Sequence, residues 1–123
     1  MLIAYWIIAG LLALAYLFAG GMKILSPQAK LTESGMAWAG DFPGPVVKLI
    51  GLLEVLGAIG LIVPPLVQVA PVLAPLAGVG LALVQVGAII THVVRGEAKA
   101  LAPNVVLLVL AVVAAWIGFE VWA

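Results

Sequence analysis

The chain of 123 residues is 67% hydrophobic and 8% charged, with five Lys/Arg against five Asp/Glu, a formal net charge of zero and a mean hydropathy of +1.38. Soluble domains run nearer about 45–50% apolar and about 25% charged; a water-soluble monomer is therefore excluded, and the missing basic excess excludes a nucleic-acid binder. With no cysteine and a single histidine, disulfides, iron–sulfur ligation, thiol redox chemistry and an intrachain metal site fall away too.

The charged residues leave three long uncharged stretches, Met1–Met22, Val55–Val94 and Ala100–Phe119. A hydrocarbon core takes about 20 apolar residues as helix. The first and third stretches each supply one span. The middle one would make a single helix roughly 60 Å long, about twice the core thickness, so it must turn back on itself. Pro64-Pro65, followed by Pro71, is the expected turning point, because proline lacks the donor that a helix interior needs. The apolar runs are continuous and show no period-2 alternation, which favours helices over a barrel.

The expected fold is all-α: one integral membrane four-helix bundle over residues 1–123, with helices at about 2–21, 46–63, 71–94 and 104–122. The first helix is read as a retained span and not a removable leader, since no Lys or Arg precedes its apolar run. Residues 22–45 form the longest connection. Ser26-Pro27 reads as a helix start and Gly35 as a stop, giving a short interfacial helix over Gln28–Ser34, with Trp38 expected at headgroup level. Gly40 to Pro45 reads as a turn into the second helix. In the third helix Pro71 suits the first turn, and Pro75 either kinks the helix or marks its true start. Residues 95–102 form a polar connection ending at Pro103, which opens the fourth helix.

All five Lys/Arg fall in the first and third connections or at Lys48. The positive-inside rule then predicts a multi-pass protein of the cell membrane with residues 22–45 and 95–102 cytoplasmic and both termini outside. Trp6, Trp116 and Trp122 fit an aromatic belt on the side of the termini.

Few polar residues lie at membrane depth. Glu54 sits about 12 Å along the second helix, where an acidic side chain is costly and usually faces the bundle interior. It is either a proton-handling or ligand-binding carboxyl, or a paired group that fixes helix packing. Gly51, Gly57 and Ala58 share its face and let another helix, or a ligand, come close. Gly78, Gln85 and His92, spaced by seven, share a face of the third helix, and a Glu54–Gln85 hydrogen bond is expected. Lys23, Lys48, His92 and Asn104 cluster at the cytoplasmic mouth. Singly, the lysines read as snorkelling anchors, His92 as a helix C-terminal residue and Asn104 as a helix cap. Together with Gln85 and Glu54 they outline a half-deep polar pocket, not a through-pore, which would need polar lining in both halves.

Several segments carry a family resemblance: Gly20-Gly21-Met22-Lys23-Ile24-Leu25 closing the first helix, and Gly51-Leu-Leu-Glu54-Val-Leu-Gly57-Ala-Ile-Gly60-Leu61-Ile-Val-Pro64 in the second. His92-Val-Val-Arg95-Gly96-Glu97 follows the third helix, and Pro103-Asn104 opens the fourth. The pattern resembles the DoxX-like membrane proteins over nearly the whole chain. That resemblance implies a four-helix bundle and links to membrane oxidoreductase complexes. It points to a non-catalytic accessory subunit packed against other membrane protein subunits of a complex that handles quinone. The alternative is a stand-alone binder or enzyme for a quinone- or lipid-like molecule, with Glu54 exchanging the proton and Lys23, Lys48 and His92 meeting the polar head. No complete catalytic set stands in the sequence, and no covalently bound cofactor is expected.

Overall fold

A computed structural model describes residues 1–33 and 36–122. In chain order, the elements are α1 (Leu2–Leu25), a short α2 (Gln28–Glu33), a 3-10 turn (Ala37–Asp41), α3 (Gly44–Val67), α4 (Leu73–Arg95) and α5 (Ala98–Trp122). The four long helices are each long and apolar enough to cross a membrane. They run alternately up and down in a ring, α3 packed between α1 and α4, and α5 between α4 and α1. The protein is an all-α four-helix membrane bundle. The core is built from alanines, tyrosines and leucines, among them Tyr5, Leu12 and Tyr16 of α1, Ala58 and Leu61 of α3, and Ala111 and Ala114 of α5. Large apolar side chains such as Ile3, Leu14, Phe18 and Val94 point outward, as hydrocarbon surroundings require.

The helix ends differ from the sequence reading in instructive ways. Gly20-Gly21 does not end α1; the helix runs on to Leu25. It stops at Ser26, which is extended (φ −98°, ψ 142°), because the ring of Pro27 disfavours a helical residue before it. Lys23 is therefore inside the helix and not in a connection. The stop expected at Gly35, and the last residue of the expected 28–34 helix, lie outside the described residues.

Pro64-Pro65 do not turn the chain. They lie within α3, and the turn follows at Gln68, whose left-handed conformation (φ 59°) places its N–H on the Pro64 carbonyl. Two consecutive prolines withhold the donors that would serve the carbonyls of Gly60 and Leu61. The Tyr5 hydroxyl donates to the Leu61 carbonyl at 2.6 Å, so a side chain of α1 replaces the bond that Pro65 cannot make. In a membrane such repair by a neighbouring helix is what makes interior proline tolerable. Tyr5 is itself held by edge-on contacts with Trp6 and Trp122 at 5.5 and 5.7 Å.

Pro75 falls in the first turn of α4, where the missing N–H costs nothing. At its other end α4 closes on Gly96 in the left-handed region (φ +72°), with the Glu97 N–H on the His92 carbonyl. Glycine suits this position because it has no Cβ to clash there. α5 then begins at Ala98, before Pro103, which forfeits only a bond to the Lys99 carbonyl near the helix start. Asn104 is thus a residue of the helix body and not its cap.

Candidate functional site

The site begins with two glycines. A Cβ on Gly20 would stand 2.6 Å from the Gly51 carbonyl oxygen and 3.1 Å from Glu54 Cβ; a Cβ on Gly51 would stand 2.7 Å from both the Gly20 carbonyl oxygen and Lys23 Cβ. Each glycine therefore clears space for the charged residue of the opposite helix. α1 and α3 touch backbone to backbone, and the Lys23 stem folds along the bare face of Gly51. Its Nζ donates to Glu54 Oε1 at 2.6 Å, with side chains only 7% and 4% exposed. The Lys23 ammonium also lies over the Trp38 ring, 5.7 Å from its centre, a distance at which the ring quadrupole attracts a cation.

Glu54 is thus paired across α1 and α3, and the expected hydrogen bond to Gln85 is not made. Lys23 occupies the carboxylate because the longer α1 brings it to the same face as Gly20. Gln85 approaches from α4 and is buried. The Tyr16 hydroxyl lies beside Gln85 and within electrostatic reach of Glu54. Tyr16 Oη and Gln85 Oε1 are both buried, and among the described residues neither finds a partner beyond the other.

These groups line a cavity of about 420 Å³ in the half of the bundle nearer the first and third connections. Lys23, Glu54, Gln85, His92 and Asn104 all contribute to its wall. Lys48 does not. Its Nζ bonds the Ile24 carbonyl at 2.8 Å and those of Ser26 and Lys23 at 3.3 and 3.4 Å, so it caps the C-terminus of α1, where a cation also meets the negative end of the helix dipole. Tyr16 and Trp38 were not singled out from sequence as site residues. A weak signal for the ion pair was present: each charged partner follows a glycine by three residues, one helical face apart.

The aqueous end of the cavity carries a lid, the segment from Met36 to Phe42. Met36, Trp38 and Phe42 face the cavity, and Trp38 and Phe42 meet edge-on at 5.9 Å. Gln28 pins the lid by donating to the carbonyls of Ala39 and Phe42, both at 2.6 Å. A chain of polar contacts latches it to α4. Arg95 pairs with Asp41 of the lid and donates through Nε to Glu97 Oε1 at 3.0 Å. The same oxygen lies 2.9 Å from His92 Nδ1. His92, and then Arg95, hold the Glu97 carboxyl below the usual carboxylate range.

The architecture agrees with a comparison of the sequence against protein families, in which the model of the DoxX-like family matches residues 7–114. The chain belongs to the DoxX-like family. The matched segment takes in the Gly20–Lys23 and Gly51–Glu54 pairs, the cavity and its lid. Neither the curated proteins nor the solved structures offer a match to the chain.

Proposed function

We propose that this DoxX-like protein binds an uncharged amphipathic molecule, of the quinone or lipid kind, with its polar head in the cavity beside Lys23 and Glu54. One observation carries the reading: two buried polar groups, Tyr16 Oη and Gln85 Oε1, sit in the wall of an apolar-bodied cavity with no partner but one another, and their contact falls short of a good hydrogen bond. Unpaired buried polar atoms cost about 1–3 kcal/mol each, and a polar ligand head is one way to recover it. The Lys23–Glu54 pair is internally neutralised, which suits a neutral head. The excess of Lys/Arg at the cavity end favours a cytoplasmic orientation for that end.

The test is retention of a 1,4-benzoquinone bearing a decyl tail by the protein in phosphatidylcholine vesicles. Gln85→Leu removes a group whose side-chain contact is with Tyr16 in the cavity wall and not with the backbone of another helix, so folding is expected to survive. Retention is expected to fall at least tenfold, and to fall also in Glu54→Gln where that variant remains folded. Equal retention by a well-folded Gln85→Leu variant refutes the reading.

A second reading, an accessory subunit of a membrane redox complex, is supported by an open apolar groove around Gly10 on the outer face, flanked by Ile7, Leu11 and Leu14. A glycine-floored groove lets another membrane helix approach closely. Native mass spectrometry from the host membrane separates the two readings: a chain found only as monomer or homo-oligomer is not such a subunit.

A further inference from the structure

The cavity has a second opening, and it does not face water. α3 and α4 are in intimate contact toward the α3–α4 turn, where a Cβ on Gly57 would stand 2.6 Å from Leu81 Cδ2 and one on Gly60 would stand 3.0 Å from Ala77 Cβ. Toward the lid the two helices part. Gly87 of α4, on the lid side of that contact, has nothing within 4 Å of an added Cβ. Leu83, 67% exposed, and Gly87, also exposed, nevertheless both belong to the cavity wall, together with Ile50 of α3. A separate groove on the outer face between α3 and α4, floored by Gly57 and Gly80, shares Leu83 and Val84 with the cavity. The interior and the lipid-facing surface thus meet at Leu83 and Gly87. The aqueous end, by contrast, is latched by Gln28 and by Asp41–Arg95.

We infer that the cavity exchanges its ligand laterally with the bilayer through a portal between α3 and α4 framed by Ile50, Leu83 and Gly87. The ligand class follows from this shape: a compact uncharged head held inside and a long alkyl or isoprenoid tail leaving over Gly87 into the Leu53–Gly80 groove. A tail could not leave through the lid without entering water. The inference rests on the cavity being a binding site, as proposed above, and adds the route and the tail.

A bulky residue at 87 should close the portal without disturbing the fold, since it projects into open space. The experiment compares two probes, a 1,4-benzoquinone with a decyl tail and the same ring with a methyl group. Each is measured as the excess bound to proteoliposomes over protein-free vesicles of the same phosphatidylcholine. Gly87→Trp is expected to lose the decyl probe at least tenfold more than it loses the methyl probe, and an equal loss of both would refute the portal. Gly87→Leu should give a smaller loss in the same direction, and Gly10→Trp, equally open but remote from the cavity, should change neither. If Gly87→Trp binds both probes like the parent protein, the portal is refuted and the cavity reading stands. If Asp41→Asn, which unlatches the lid, speeds loading of the decyl probe while Gly87→Trp does not slow it, the route is aqueous and the portal is again refuted. If the parent protein retains neither probe, both readings fall.

Discussion

Replacing Lys23 by Met leaves Glu54 buried in the bundle with its counter-charge removed. The N–O distance of 2.6 Å corresponds to a gross attraction of about 6 kcal/mol at an effective dielectric of about 20. Desolvation of both groups offsets much of that gain, so the net worth of the pair is small while the cost of breaking it is large, about 3–5 kcal/mol. Met keeps the aliphatic stem that packs on Gly51, so lost packing contributes little; loss of the contact with Trp38 adds about 0.5–1 kcal/mol. Glu54→Gln should cost an amount of the same order, because it strands the ammonium. The double variant Lys23→Met/Glu54→Gln removes both charges and should lie within about 1–2 kcal/mol of the parent. A double-mutant cycle by reversible unfolding in mixed detergent micelles therefore predicts a coupling energy of at least about 2 kcal/mol. Additive single effects, with coupling below about 0.5 kcal/mol, would refute the argument that the pair is a mutually dependent unit in the core.

Three further predictions concern the fold and the lid. Tyr5→Phe should destabilise the bundle by about 1–2 kcal/mol by stranding the Leu61 carbonyl, and adding Pro65→Ala, which restores a helical donor, should recover part of the loss in the same unfolding assay. Gly51→Leu drives a side chain into the Gly20 carbonyl and the Lys23 stem; a loss of about 1–3 kcal/mol or more is expected, together with reduced retention of the decyl benzoquinone. The Glu97 carboxyl is held low by His92 and Arg95, so its folded-state value lies below its unfolded one. The stability it adds is present above the ordinary carboxylate range and is lost as pH falls through the lowered folded value. Protection factors in residues 36–42, which correct for the intrinsic slowing of exchange in acid, should accordingly fall at acid pH, and Glu97→Gln should flatten that dependence.

Much of the architecture was legible because it depends on local counting. The gaps between charges allot four spans, and a 40-residue apolar run is too long for one helix. Where the reading of the ends failed, a tertiary partner had overridden a local rule. Gly20-Gly21 reads as a break in isolation, but against α3 those glycines are the contact that makes the helix worth continuing. Pro64-Pro65 reads as a turn until the Tyr5 hydroxyl is seen on the Leu61 carbonyl. The site was half legible. Glu54 and Gln85 could be picked out as polar residues at membrane depth, and Lys23, His92 and Asn104 as polar residues at the mouth. Their partners could not be paired, because pairing depends on which helices are neighbours and at what height they cross.

The sequence by itself determined the solvent: with 8% of residues charged, this chain belongs in hydrocarbon, and its charges, Glu54 apart, gather toward the ends of the spans. Tertiary structure decided what those charges do. The register of α1 against α3 turns Lys23 from a surface anchor into the counter-ion of Glu54, sends Lys48 to the end of α1, and leaves Tyr16 and Gln85 facing a cavity. Composition is a sum over residues and sets the medium; a pair of charges at 2.6 Å is a matter of geometry, which only the crossing of two glycines supplies.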